Sequence, residues 1–419
     1  MLEKVVIMMV HHHDRPQQKR EHDRDEMIGL IEASDGQVVA ICEQAIEHVN
    51  PKTMIGMGKV DELKGTIEQH EADLVVFSVD LTGSQLRNIE ESSGCRVIDR
   101  TQLILAIFAS RAQSHEGIAQ VKLAQLSYLL PRLTGRGIAM SRLGAGIGTR
   151  GPGETKLETD RRKIREEIHQ LKRVLQKQKA RRQELRKRRA SQGVYSVGIV
   201  GYTNAGKTTL LSKLAKRYGE RMMATGQDRL FDTLDLLSRR LNYEGRTFVV
   251  TDTVGFLRDL PHHLVDAFRA TMEEAVDADV LLHVVDATSS FMDDEIATVH
   301  QVISQELASV APVVTLFNVK SKALSDMSIM YRDPLAEQTV VGSIFEDKVL
   351  HEIMEAIDHI VAKRLHLELL IPHDRSDIVA LAYQVANVVS VTGQEAGMLL
   401  TMTIDARYAR QFMPFTMLT

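Results

Sequence analysis

The chain has 419 residues, 44% hydrophobic and 26% charged, enough for two to four domains of ordinary soluble type. Its net charge is −4 and it has no tryptophan, which excludes a uniformly basic nucleic-acid coat and recognition resting on broad aromatic stacking. Cys42 and Cys95 lack metal-ligand spacing and point to a reducing compartment. No secretory signal opens the chain, and no run approaches the roughly 18 apolar residues of a membrane span. The expectation is a cytoplasmic protein with at most peripheral membrane association.

Residues 1 to about 112 alternate β-rich and helical patterns. Val5–Val10, Gln37–Ile41, Leu74–Val79 and Arg96–Ile98 read as strands, with helical spacing over Asp61–Gln69, Ser84–Glu91 and Thr101–Arg111. This predicts a small α/β domain with a partly parallel sheet. A helix over Glu116–Leu130 should stop at Pro131. His11-His-His13-Asp14 reads as a solvated loop, not a metal site, because neighbouring residues on an extended chain face opposite ways.

Seven glycines follow between Gly135 and Gly153, together with Pro152, a composition that reads as a loop. Next, Ile164, Ile168, Leu171 and Leu175 repeat at helical spacing, predicting a helical hairpin or coiled-coil arm. Roughly half of Arg161–Arg189 is Lys or Arg, opposed only by Glu166, Glu167 and Glu184. A polyanionic partner should be met there.

From Tyr195 to about Arg364 the pattern is strand, loop, helix, repeated. The strands are Tyr195–Val200, Thr247–Thr251, Val280–Val285, Val313–Phe317 and Thr339–Val341, apolar enough to be parallel and buried on both faces. Leu365–Thr419 reads as a small β-α-β-β unit with a helix over Ser376–Val389 and a hairpin over Val389–Ile404. The fold class is α/β: a P-loop domain with a parallel sheet over 194–364. A small α/β domain (1–134) and a basic helical arm (135–193) precede it, and a small α+β domain (365–419) follows.

Gly201, Tyr202, Thr203, Asn204, Ala205, Gly206, Lys207 and Thr208 fit G-x-x-x-x-G-K-[ST] after a strand, with a helical run from Thr209 to Ala215 behind. Backbone amides there can wrap a phosphate, Lys207 can neutralise the β- and γ-phosphates, and Thr208 can ligate magnesium. Asp252, Thr253, Val254 and Gly255 follow an apolar strand. Asp252 suits the magnesium shell and the Gly255 amide suits the γ-phosphate. Phe256 stands where many GTPases carry a water-orienting glutamine, so intrinsic hydrolysis should be slow. Thr233 stands in the first-switch position and would complete the magnesium shell. Asn204 matches the asparagine of potassium-activated GTPases, so K+ is a further expected ligand. His262 and His263 follow Pro261 and carry no assigned role.

Base recognition departs from pattern. Where Asn-Lys-x-Asp reads guanine, the chain has Asn318, Val319, Lys320 and Ser321. Val319 replaces the lysine, and the Ser321 hydroxyl cannot supply the two acceptor oxygens of a carboxylate. Gly342, Ser343 and Ile344 stand where a backup Ser-Ala is expected.

These motifs resemble the HflX family of ribosome-associated GTPases. The resemblance is carried by Ile55–Lys59, Val97–Thr101, Gln125–Arg132, Gly148–Thr155 with Glu158–Arg162, Gly201–Lys207 and Asp252–Pro261. It implies GTP and GDP as ligands with Mg2+, and hydrolysis stimulated by the ribosome. It also implies a large-subunit partner whose rRNA meets the N-terminal domain and basic arm, with splitting or rescue of stalled ribosomes under stress. Nothing suggests an obligate dimer, so a monomer is expected. Two other readings compete: a hydrolase accepting ATP as well as GTP, motivated by Ser321, and a nucleotide-gated RNA-binding module with little turnover, motivated by Phe256.

Overall fold

The computed structural model describes residues 2–133, 152–191, 194–219, 237–256, 272, 278–306, 311–320, 331–362 and 364–416. They fall into two compact units divided after Gln176.

The first unit is built on a four-stranded sheet in the order β2-β1-β3-β4, with β1 Glu3–His12, β2 Gly36–Ile46, β3 Leu74–Phe77 and β4 Arg96–Asp99. Every pairing is parallel. Val6, Met8, Val75, Phe77 and Val97 form a core with Val60, Leu63 and Ile67 of α2 (Met57–His70) and Ile89 of α3 (Gly83–Ser93). Helix starts follow their caps: Thr82 and Gln85 make a reciprocal capping box on α3, and Asp99 caps α4 (Arg100–Arg111).

Three features differ from the sequence reading. Helix α1, Gln17–Ala33, lay in a stretch assigned to no element. Its first turns are charged, and only Met27, Leu30, Ile31 and Ala33 near its end are buried. Helix α5, His115–Arg132, runs through Pro131 instead of stopping there. A proline in the last turn removes one backbone bond, and Leu133 N still donates to Leu129 O at 3.1 Å. The expected loop at His11–Asp14 is also partly strand. His11 and His12 close β1, with His11 buried and His12, His13 and Asp14 exposed.

The basic segment is one helix, α6, Pro152–Ser191. Ile168, Leu171 and Leu175 pack against Ala119 and Leu123 of α5, and Lys122 pairs with Glu167.

The second unit holds a six-stranded sheet in the order β10-β9-β8-β5-β7-β6. Its strands are β5 Val194–Val200, β6 Leu237–Tyr243, β7 Arg246–Asp252, β8 Val280–Asp286, β9 Val313–Asn318 and β10 Ala336–Gly342. Five strands are parallel, but β6 is an antiparallel edge strand on β7. The turn joining them places Glu244 and Gly245 at φ 46 and 76, the left-handed pair that a two-residue hairpin turn requires. Val197, Ile199, Phe248, Val250, Leu282, Val284 and Leu316 make the core with α7 (Lys207–Tyr218) and α9 (Asp347–Ala362), and Ile296 of α8 (Met292–Gln301) packs with Val285 and Phe317. Arg246 of β7 donates to both oxygens of Asp358 at 2.6 Å, tying strand to helix.

The C-terminal sheet, in the order β11-β13-β12, is antiparallel. Its elements are β11 Arg364–Ile371, α10 Ser376–Val385, β12 Ala386–Gln394 and β13 Gly397–Asp405. The helix ends four residues before the expected Val389, because the β-branched Val388 and Val391 pair with Met402 and Leu400 of β13, with Val389 the extra residue at a bulge between them.

Candidate nucleotide site

The site grows from the end of β5. Gly201 adopts φ 150, and a Cβ there would sit 2.3 Å from the Val284 carbonyl oxygen, so only glycine allows the chain to turn against β8. Asn204 takes a left-handed φ of 61 and Gly206 a φ of 100. These values curl Gly201–Gly206 into a loop whose exit is the first turn of α7. The N-cap is Gly206, which has no side chain to compete for the first-turn amides, so helix dipole and amide donors favour an anion there.

Lys207 is buried within this loop, and its Nζ donates to the Tyr202 carbonyl at 2.6 Å. Burial pushes its pKa down to about 8, partly opposed by the Asp252 carboxylate. Thr208 Oγ1 donates to Asp252 Oδ2 at 2.7 Å, which brings two hard oxygen ligands from α7 and β7 together. Thr209 lies half-buried on the same turn. Thr253 Oγ1 donates to Ile199 O at 2.7 Å, Val254 is buried, and a Cβ on Gly255 would lie 2.9 Å from Lys207 Nζ. Phe256, also buried, is engaged through its backbone: Thr203 N donates to Phe256 O at 2.9 Å and Phe256 N to Gly201 O at 3.1 Å.

The base-recognition segment follows β9. Asn318 is buried; its Nδ2 donates to Ala205 O at 3.0 Å and its Oδ1 accepts from Ile344 N at 3.4 Å. Val319 packs with Val285, Ala287, Ile296 and Phe317. Lys320 Nζ donates to Asn204 O at 2.6 Å and pairs with Asp286 Oδ2 at 2.8 Å. Ser343 is half-buried and Ile344 buried beside Gly206. Thr233, Ser321, His262 and His263 lie outside the described residues. No motif singled out Asp286; the available signal was a carboxylate closing the apolar run of β8.

A buried polar cluster lies elsewhere in the same unit. Asp333 accepts from His283 Nδ1 at 2.8 Å, Thr315 Oγ1 at 2.6 Å and the Leu335 amide at 2.9 Å, and His300 Nε2 lies 2.8 Å away. The His283, His300 and Asp333 ligand atoms lie within 4.8 Å of one another. Both carboxylate oxygens are already engaged by donors, which accounts for the burial of the charge without an ion.

A phosphate loop between strand and helix, an oxygen pair from Thr208 and Asp252, and a glycine-bearing segment at the neighbouring strand end define a P-loop nucleotide hydrolase with a G-domain sheet. Family models match three successive stretches: GTP-binding GTPase N-terminal over residues 21–109, GTP-binding GTPase Middle Region over 111–189, and 50S ribosome-binding GTPase over 196–319. The GTPase HflX of Caldanaerobacter subterraneus subsp. tengcongensis is 48% identical over 301 residues, covering 71% of this chain and 69% of that protein. The GTPase HflX of Alkalihalophilus pseudofirmus is 41% identical over 373 residues, covering 88% and 86%. A solved GTP-binding protein from Sulfolobus solfataricus in complex with GDP aligns at 23% identity with a TM-score of 0.46, over 86% of this chain and 99% of that one. The chain belongs to the HflX family of GTPases, and it is a GTP-hydrolysing enzyme. The similarity extends well beyond residues 50–300, where its motifs are concentrated. Among the described residues no helix is long and apolar enough to cross a membrane.

Proposed function

We propose that this chain is a ribosome-associated GTPase that binds the large subunit, splits or rescues stalled ribosomes, and hydrolyses GTP in a Mg2+-dependent reaction stimulated by the ribosome. The observation that carries the reading is the 2.7 Å contact between Thr208 Oγ1 and Asp252 Oδ2 beside buried Lys207. Few protein oxygens with hard-donor character fit magnesium, which keeps its remaining positions for phosphate oxygens and water. When bound, the ion supplies neutralising charge on the phosphate oxygens.

The chain's own residues do the rest. The amides of Gly201–Thr208 orient the phosphates, and Lys207 exchanges the Tyr202 carbonyl for a phosphate oxygen. Thr208, Asp252 and Thr233 would hold the ion, and the Gly255 amide would meet the γ-phosphate. Phe256 offers no group to orient water, so the activating group would come from the ribosomal partner or from a K+ ion that Asn204 would help hold.

The description of the matched family model, 50S ribosome-binding GTPase, supports the partner. So do the exposed Arg162, Lys163, Arg165, Lys172, Arg173 and Lys177 along α6, which suit the phosphates of rRNA. The reading places this work in four segments, residues 1–134, 135–193, 194–364 and 365–419, of a cytoplasmic monomer.

The test is GTP turnover with and without purified large subunits over a magnesium titration, with sucrose gradients of 70S ribosomes in parallel. Turnover that needs magnesium and rises with subunits is expected, together with accumulation of free subunits. Turnover indifferent to subunits would remove the ribosomal part and leave a nucleotide hydrolase. A second reading, hydrolysis of both ATP and GTP, is favoured by Ser321 in place of an acceptor carboxylate; calorimetric titration with GDP and with ADP separates the two.

A further inference from the structure

We infer that His12, His13 and Asp14 of the first unit form a surface site for a divalent transition cation of the Zn2+ or Ni2+ class.

The sequence argues against a metal here, because neighbours on an extended chain face opposite ways. The structure removes that objection. Strand β1 ends at His12, and Arg15 N donates to His12 O at 3.0 Å, so the chain turns across His12–Arg15 instead of running on. Within this turn one ligand atom from each of His12, His13 and Asp14 lies within 4.8 Å of the other two.

The donor set selects the ion. Two imidazoles with one carboxylate suit Zn2+ and Ni2+, whereas Mg2+ and Ca2+ favour oxygen ligands throughout. Three protein ligands leave at least one position for water, as in open zinc sites.

The geometry needs little adjustment. Asp14 Oδ1 stands 2.6 Å from His12 Nδ1, so ring and carboxylate already face each other across the place a shared ion would take. Ligand atoms around a tetrahedral zinc stand roughly 3.3 Å apart, so this pair must open by about 0.7 Å. Side chains as exposed as His12 and Asp14, at 52% and 71%, can make that move without disturbing a core. The His13 ring lies 4.8 Å from the His12 ring, tilted by 51°, and its nitrogens have no hydrogen-bond partner among the described residues. The buried His283–His300–Asp333 cluster differs on this point, since donors from His283, Thr315 and Leu335 already fill its carboxylate.

Position in the fold is a second, independent argument. In the order β2-β1-β3-β4 the chain leaves β1 for β2 on one side, while β3 leads to β4 on the other. The direction of winding therefore changes between β1 and β3, and the His12–Asp14 turn leaves the carboxyl end of β1 at that point. Open parallel sheets bind their ligands outside the carboxyl ends of the strands at such a switch point.

The test is calorimetric titration of the full chain with ZnCl2 and with NiCl2, in excess Mg2+. His12→Ala, His13→Ala and Asp14→Asn should each weaken Zn2+ by about tenfold or more, at parental Tm without the metal. His283→Gln should leave Zn2+ affinity unchanged. Co2+ bound in place of Zn2+ should show visible bands without a thiolate charge-transfer band, which keeps Cys42 and Cys95 out of the site. The inference fails if neither ion binds the parent, or if the three variants bind Zn2+ as the parent does. Loss of binding in His283→Gln with retention in His12→Ala would assign the ion to the buried cluster and overturn it equally.

Discussion

Tyr202 and Phe256 pair in a parallel bridge that joins the phosphate loop to the Asp252–Phe256 segment. Two backbone hydrogen bonds close it, from Thr203 N and from Phe256 N. The phenyl ring is 1% exposed, so Phe256 is a core residue whose backbone faces the loop. Restoring the common glutamine by Phe256→Gln would therefore bury an amide and remove a ring, at a cost of about 2–4 kcal/mol. The expected outcome is a lower Tm and no gain in basal GTP turnover. Faster turnover at parental Tm would show that position 256 can reach the attacking water.

Lys207→Ala should separate ligand from fold. The ammonium is disfavoured by burial, as its pKa of about 8 records, so its removal relieves a penalty while forfeiting the bond to Tyr202 O. The variant is expected to keep a Tm close to the parent's and to lose GDP binding in calorimetry. Parental affinity in this variant would misplace the phosphate site.

Acid should destabilise the second unit through the His283–Asp333 pair. Burial holds the His283 imidazole below its ordinary 6.5, so as pH falls below that value the unfolded chain takes up a proton that the folded one refuses. Stability falls accordingly. Burial also opposes ionisation of Asp333, yet hydrogen bonds from His283, His300 and Thr315 outweigh it and hold the carboxyl well below its ordinary 3.8. Its contribution is present above that value and is lost in stronger acid. The urea midpoint should drop between about pH 7 and 5, and His283→Gln should flatten that slope. An unchanged slope in the variant would assign the acid sensitivity to another group.

The N-terminal unit depends on Asp99, which is fully buried at the end of β4. It accepts from the Leu81 amide at 3.1 Å, Gln102 N at 2.9 Å, Tyr128 Oη at 2.6 Å and Arg132 at 3.2 Å. Arg132 also lies 3.4 Å over the Tyr128 ring. Tyr128→Phe deletes one donor to a buried carboxylate and should cost about 1–3 kcal/mol, read as earlier loss of helical signal in urea. Full stability in Tyr128→Phe would mean the other three donors suffice.

Much of this was legible in the residues. The strands β5, β7, β8 and β9 announce themselves because burial on both faces demands continuous apolar runs, and the glycine spacing at 201–206 marks where the backbone must turn tightly. The family motifs at Val97–Thr101 and Gln125–Arg132 turned out to be two halves of the Asp99 network, a relation that spacing alone does not reveal. Strand β6 was missed because an edge strand needs only one apolar face: Ser238, Arg239, Arg240 and Asn242 alternate with or flank the buried Leu241 and Tyr243. Helix α1 was missed because Gln17–Glu26 offers no apolar stripe, and the helix is held from its far end. Spacing places Lys320 in the base-recognition segment, but its reach to the Asn204 carbonyl is a matter of side-chain length that spacing does not give.

Asn318 leaves a constraint for anyone redesigning this protein. Its amide presents a donor to Ala205 and an acceptor to Ile344 from one rigid plane, and only an amide of that length offers both. The phosphate loop, the strand end before Val319 and the turn at Ile344 are consequently three legs of one tripod. On the proposed reading, editing residues 319–321 to change base choice would tilt a leg and the loop with it, so selectivity and grip would not be separate dials, and variants selected for one would drift in the other.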